Sequence, residues 1–190
     1  MPKERIFNLP NLLSFYRLLT FPYILYLVVI GNEHLFSILL CINLVTDILD
    51  GLIARVFKLQ TKFGARLDSI ADMGTYILAL CGIFVFKWVF ISSSGIFLWL
   101  FLATYLLTYV VSFVRFRKFP SLHLYSVKIG AYVQGIFFFV LFFWGFHLVL
   151  FVLAMVWGIA SYLEEVAVLL SLRELRSDCR GLYWVLKERN

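Results

Sequence analysis

Charge is what this sequence lacks. Only 15% of its 190 residues are Asp, Glu, Lys or Arg, and residues 88–114 and 129–163 contain none of them. Soluble domains carry about 25% charged residues, so a soluble fold and a disordered chain are both excluded. Cysteine is scarce too. Cys41, Cys81 and Cys179 show neither a pairing pattern nor metal-ligand spacing, which excludes a disulfide scaffold and reads as small apolar filler. The three histidines, His34, His123 and His147, are scattered, so no Ser–His–Asp or Cys–His arrangement is in view. The N-terminus has no small-residue cleavage site after its apolar run and is not read as a signal peptide. No repeat recurs at a fixed period, and no separate basic domain exists to take nucleic acid.

Apolar length is what the sequence has instead: 63% of it is hydrophobic and 19% aromatic. A bilayer crossing takes about 20 apolar residues. The pattern predicts an all-α membrane protein of six transmembrane helices, at 18–31, 35–56, 66–87, 96–116, 128–145 and 148–170. The charge-free stretch 129–163 is too long for one crossing, and Gly145 and His147 mark a turn inside it. An N-terminal interfacial helix is expected ahead of the first span. There Ile6, Leu9, Leu12, Leu13 and Tyr16 share one side, with Lys3, Arg5 and Arg17 near lipid headgroups. The whole chain, 1–190, reads as one domain with an interfacial segment at 1–17 and a mixed-charge cytoplasmic tail at 171–190.

An even number of spans puts both termini on one side. That side then collects every basic residue except Lys87, and five or seven spans would scatter them. Positive residues favour the cytoplasmic side. The termini and the connections 57–65 and 117–127 are therefore expected in the cytoplasm, and the net charge of +6 becomes a property of that face, attractive to anionic lipid.

Acidic residues inside spans are costly and mark function. Asp47 and Asp50 lie three apart on the second span, Asp68 and Asp72 four apart on the third. Each pair shares a helix face, and the loop 57–65 makes the two helices an antiparallel hairpin, so the pairs can face each other. Four neighbouring carboxylates need protons or cations to balance them. Arg55 and Arg66 supply some positive charge, and a plain salt-bridge cluster is one reading. Hard divalent ions prefer oxygen ligands, and two of them bridged by carboxylates make a phosphoryl-transfer site. Gly51, Ala54 and Gly64 would leave a slot beside the acids that a flat nucleobase could enter. Cation transport is the rival in a different class, since facing acids also suit ion passage. Transport favours acids at the midplane and broken helices, whereas these sit toward the cytoplasmic ends.

The pattern Asp47-x2-Asp50-Gly51-x2-Ala54-Arg55-x8-Gly64-x3-Asp68-x3-Asp72 resembles, without a departure, the signature of the CDP-alcohol phosphotransferase (phosphatidyltransferase) family. The resemblance implies membrane phospholipid synthesis. A hydroxyl of an acceptor alcohol attacks the β-phosphorus of CDP-diacylglycerol and CMP leaves. It further implies two divalent ions, Mg²⁺ or Mn²⁺, held by Asp47, Asp50, Asp68 and Asp72, with Asp72 as the base. Gly51, Arg55 and Thr61 match positions that contact the donor. Members are commonly homodimers, and this chain is placed in a bacterial inner membrane with its active site facing the cytoplasm. Asn8-Leu9-Pro10-Asn11-Leu12-Leu13-Ser14-x2-Arg17 resembles the start of bacterial glycerolipid members, in which the stretch matching Asn11–Ser14 lies against the donor. Physically, Asn11 or Ser14 could equally cap the following helix.

The acceptor is read from the second basic connection. Arg115, Arg117, Lys118 and Lys128 could grip a phosphate there, or anchor the positive side of the membrane. Members that use glycerol phosphate resemble a G-K-x-K-T-x-x-Q pattern at this point, of which Lys128 and Gln134 match in spacing while the Gly, the second Lys and the Thr do not. Glycerol 3-phosphate, as in phosphatidylglycerophosphate synthases, is the expected acceptor. A cardiolipin-synthase-type acceptor, phosphatidylglycerol, is the alternative. Ser161, Tyr162, Glu164 and Glu165 are further candidates for acceptor contact.

Overall fold

The computed structural model describes residues 8–118, 122, 124–172, 174, 175 and 179–189, and among them there is helix but no strand. Helix α1 is Leu9–Val29, α2 is Glu33–Val56 and α3 is Lys62–Gly82. A π turn, Ile83–Lys87, joins α3 to the short α4, Trp88–Ile91, and a 3₁₀ turn, Ser92–Ser94, leads into α5, Gly95–Phe116. Then come α6, Tyr125–Phe143, α7, Leu148–Ser171, and α8, Leu182–Arg189.

Five helical stretches are long and apolar enough to cross a bilayer, and one of them, Phe63–Phe116, is 54 residues long. At 1.5 Å per residue a single rod of that length would run about 80 Å, against a hydrocarbon core of about 30 Å. It therefore accounts for two crossings, α3 and α5, and the expected six spans are present. The protein is an integral membrane protein, and its large outward side chains, such as Leu19, Val29, Val89 and Leu106, have lipid as their solvent. The turn expected at Gly145 is there, in left-handed backbone at φ +122°, which suits glycine. The segment 9–17, expected at the interface, is the opening of α1 itself and continues to Val29 without a break. Residues 3–7, with Lys3, Arg5 and Ile6, lie outside the described residues.

Contacts cluster into two compact units, one running to Ile91 and taking in Phe139–Phe146, the other comprising Ser92–Phe138 and the chain from His147 onward. In the first unit α1 packs against both α2 and α3. Caps define its helices. Asn8 accepts from the backbone N–H of Asn11 at 2.9 Å, Asn32 from that of Leu35 at 3.1 Å and Thr61 from that of Gly64 at 2.9 Å. Each satisfies one orphan amide at a helix start. Phe36 is fully buried against the rings of Phe86 and Phe142. A Cβ on Gly82 would lie 2.5 Å from the Phe36 ring, so only glycine lets α3 come that close.

In the second unit α5 packs along α7, and α7 meets α8. Ser161 and the Trp157 indole both donate to the carbonyl of Ser126 at 3.1 Å, tying α7 to the start of α6. The expected tail is folded. Leu172, Cys179 and Val185 share a buried cluster with Leu122, Leu124, Val168 and Leu169, and the Tyr125 amide donates to the Arg180 carbonyl at 3.2 Å.

Candidate functional site

The hairpin of α2 and α3 sets Asp47 and Asp50 against Asp68 and Asp72, and carboxylate oxygens of Asp47, Asp50 and Asp68 lie within 4.8 Å of one another. A guanidinium from α1 is bonded to all four. Arg17 Nη1 donates to Asp47 at 2.5 Å and to Asp72 at 2.8 Å, and Nη2 donates to Asp50 at 2.8 Å and to Asp68 at 2.6 Å. Each terminal nitrogen thus spans from α2 to α3. The Arg17 side chain is 0% exposed and that of Asp50 4%, while Asp47, Asp68 and Asp72 are 38%, 39% and 43% exposed. The guanidinium forms the floor of the group and the other three acids form its accessible rim.

Arg17 is the residue that sequence reasoning misplaced. It was expected among headgroups, because it stood at the edge of the first span and fitted the positive-inside count. Its signal lay in spacing: Asn11, Ser14 and Arg17 recur every three residues, which puts them on one face of α1, and all three are buried. Asn8 was missed as well. It caps α1 in place of Asn11 or Ser14, and its amide donates to the Leu59 carbonyl at 3.2 Å. Ser14 instead donates to Asp50 at 3.1 Å.

Arg55 and Arg66 were expected to help balance the acids. Among the described residues all the ion pairs of the four aspartates go to Arg17. Arg55 is exposed and donates through Nε to the Gly51 carbonyl at 2.9 Å. The space at Gly51 is open apart from the Arg55 tip, 3.8 Å from where a Cβ would stand. The space at Gly64 is not open. A Cβ there would lie 2.2 Å from the Asn11 amide oxygen, so Gly64 admits α1 rather than a nucleobase. Thr61 spends its hydroxyl oxygen on the cap of α3.

The acceptor candidates lie in the second unit. Arg115 donates to the Leu172 carbonyl at 3.0 Å and so serves the end of α7. Arg117 lies over the Phe113 ring in left-handed backbone. The Lys118 carbonyl receives the Ser112 hydroxyl at 2.9 Å, and the Lys118 side chain is exposed. Lys128 is exposed at the opening turn of α6. Of the later candidates, Ser161 is spent on Ser126, and Tyr162 packs on the rings of Phe101 and Tyr105. Glu164 accepts from the Leu182 amide at 2.9 Å and so caps α8. Glu165 is buried.

The four acids fit a divalent cation. Each gives a single oxygen to Arg17, and the guanidinium leaves the second oxygen of each unclaimed. The site has four carboxyl groups against one guanidinium, and all-oxygen donors suit hard ions such as Mg²⁺ and Mn²⁺.

Comparison with known proteins agrees with this geometry. A model of the CDP-alcohol phosphatidyltransferase family matches residues 7–163. A probable cardiolipin synthase (CMP-forming) of Drosophila melanogaster is 39% identical over 107 residues, which cover 49% of this chain and 33% of that protein. A CDP-diacylglycerol–glycerol-3-phosphate 3-phosphatidyltransferase of Escherichia coli strain K12 is 35% identical over 77 residues, covering 39% of this chain and 42% of that protein. The chain thus spans less than half the length of these two relatives. No solved structure matches it.

Proposed function

We propose, since the chain belongs to the CDP-alcohol phosphatidyltransferase family, that it transfers the phosphatidyl group of CDP-diacylglycerol to the hydroxyl of an acceptor alcohol and releases CMP. Glycerol 3-phosphate is the acceptor we favour, in line with the Escherichia coli relative. Phosphatidylglycerol is the second reading, favoured by the similarity to the Drosophila melanogaster protein. The observation that carries the proposal is the convergence of Asp47, Asp50, Asp68 and Asp72 on one guanidinium. The same observation tells against cation transport, because a fixed positive charge amid the acids opposes a cation path.

Two divalent ions, Mg²⁺ or Mn²⁺, held by these aspartates would neutralise the pyrophosphate and the oxygen departing with CMP. Arg55, anchored at Nε by the Gly51 carbonyl, has its terminal nitrogens left to pair with a donor phosphate. The open space at Gly51 lets the cytidine end approach the α2 backbone. Thr61, Gly64, Asn11 and Ser14 shape the wall on that side: Asn11 seats α1 against Gly64 of α3, Thr61 caps α3, and Ser14 ties α1 to Asp50 of α2. Asp72 accepts the proton of the acceptor hydroxyl. As that proton leaves, the acceptor oxygen bonds to the β-phosphorus, the bond from that phosphorus to the bridging oxygen breaks, and CMP departs with the electron pair. Lys128 is the residue assigned to the acceptor's phosphate, and Arg115, Arg117 and Lys118 add positive potential on the same connection. The chain acts as one domain, forms a homodimer, and works at the cytoplasmic face of a bacterial inner membrane.

The test is CMP release by the purified protein with Mg²⁺ or Mn²⁺, CDP-diacylglycerol and, in turn, glycerol 3-phosphate, phosphatidylglycerol, inositol phosphate and serine. Release with glycerol 3-phosphate and formation of phosphatidylglycerophosphate is the expected result. Release with phosphatidylglycerol alone selects the second reading, and no release with any acceptor refutes both.

A further inference from the structure

The reaction as proposed leaves Arg17 without a task, yet among the described residues no other side chain makes as many ion pairs. Its two terminal nitrogens carry four hydrogens, and four carboxylates receive them. We propose that Arg17 is the resident counter-cation of the site: it fastens one oxygen of each aspartate and so keeps the four acids gathered when no divalent ion is bound. The proposal rests on the metal-site reading given above.

Three observations carry it. The first is charge. Carboxylates at this spacing repel one another, and the only ion pairs they make among the described residues are with this guanidinium. Arginine is also the one cation that does not give up its proton there. The second is the fork. Nη1 joins Asp47 of α2 to Asp72 of α3, and Nη2 joins Asp50 to Asp68. A point-like lysine ammonium has three hydrogens and no planar fork, so it cannot strap both rungs. The third is position. The arginine is fully buried while three of the acids are two-fifths exposed. A metal arriving at the rim meets oxygens that Arg17 does not hold and need not expel the arginine.

The test is thermal stability in detergent, with EDTA and with millimolar Mg²⁺. In EDTA, Arg17→Gln should lower the Tm by about 10 °C, and Mg²⁺ should restore most of that loss, because it supplies the missing positive charge. Arg17→Lys should recover part of the loss without metal. Phe36→Ala, a packing control, should lose stability that Mg²⁺ does not return. If Arg17→Gln does not yield folded protein, the double variant Arg17→Gln with Asp50→Asn should, since one repelling charge is gone. A double variant no better than the single one overturns the proposal. So does an Arg17→Gln loss that Mg²⁺ leaves intact in a protein whose wild type binds Mn²⁺. Loss of the free Mn²⁺ signal in electron paramagnetic resonance, measured on wild type, judges the metal-site reading separately. If wild type binds no Mn²⁺, that reading falls and the double variant still decides the role of Arg17.

Discussion

Adding one methyl group at Gly64 should disturb the site from a distance. The Cβ of Gly64→Ala would lie 2.2 Å from the Asn11 amide oxygen, 2.9 Å from the Thr61 hydroxyl oxygen and 3.1 Å from the Asn11 Cγ. Close carbon–oxygen contacts run from about 3.3 Å upward, so the Asn11 amide, or α1 with it, must give way by roughly 1 Å at this point. Thr61 cannot yield freely, because it caps α3. Alanine gains about 1 kcal/mol in helix propensity over glycine, whereas overpacking costs about 1–3 kcal/mol. With two neighbours obstructing, the balance should be a net loss of about 1–2 kcal/mol, or roughly 2–8 °C in Tm. Activity should suffer more. Ser14 and Arg17 follow Asn11 on the same face and bond the aspartates, and a displacement of about 1 Å can cost on the order of 10²-fold in rate. The assay is CMP release alongside a thermal melt. Asn11→Ala in the same chain removes the obstructing amide and should recover both readouts. Wild-type Tm and turnover in Gly64→Ala, or no recovery in the double variant, would refute the argument that α1 is seated by this contact.

Three other outcomes are expected. Asp72→Asn should cut CMP release by about 10²–10⁴-fold in protein whose circular dichroism is unchanged, and wild-type turnover would remove Asp72 as base. Lys128→Ala should raise the KM for a phosphate-bearing acceptor and leave the KM for CDP-diacylglycerol alone, and an unchanged acceptor KM would free Lys128 of that role. Glu164→Ala should uncap α8 at a cost of about 1 kcal/mol, seen as faster amide exchange over residues 179–189, and protection equal to wild type would show that α8 is held by its apolar contacts alone.

The spans were legible because lipid demands long uncharged runs, and residues 88–114 and 129–163 have no other use for such composition. The four aspartates were legible for the converse reason, as acids where acids are expensive. What stayed hidden depended on neighbours that a one-dimensional pattern does not contain. Arg17 looked like one more cation at a span edge, and only the packing of α1 on the α2–α3 hairpin turns it inward. Gly64 looked like an opening until the Asn11 side chain was seen to fill it. Glu164 looked available for chemistry until the backbone of α8 came back to meet it. That return joins sequence-distant parts of the second unit, and the family match at residues 7–163 stops just short of it.

The unequal exposure of the acids has a further consequence. An entrance wide enough for a phosphorylated alcohol is wide enough for water, and water is itself a nucleophile toward an activated pyrophosphate. On the proposed reaction, the ratio of CMP formed to lipid product formed becomes a measure of sealing: it should approach one when acceptor saturates the protein and climb as acceptor grows scarce.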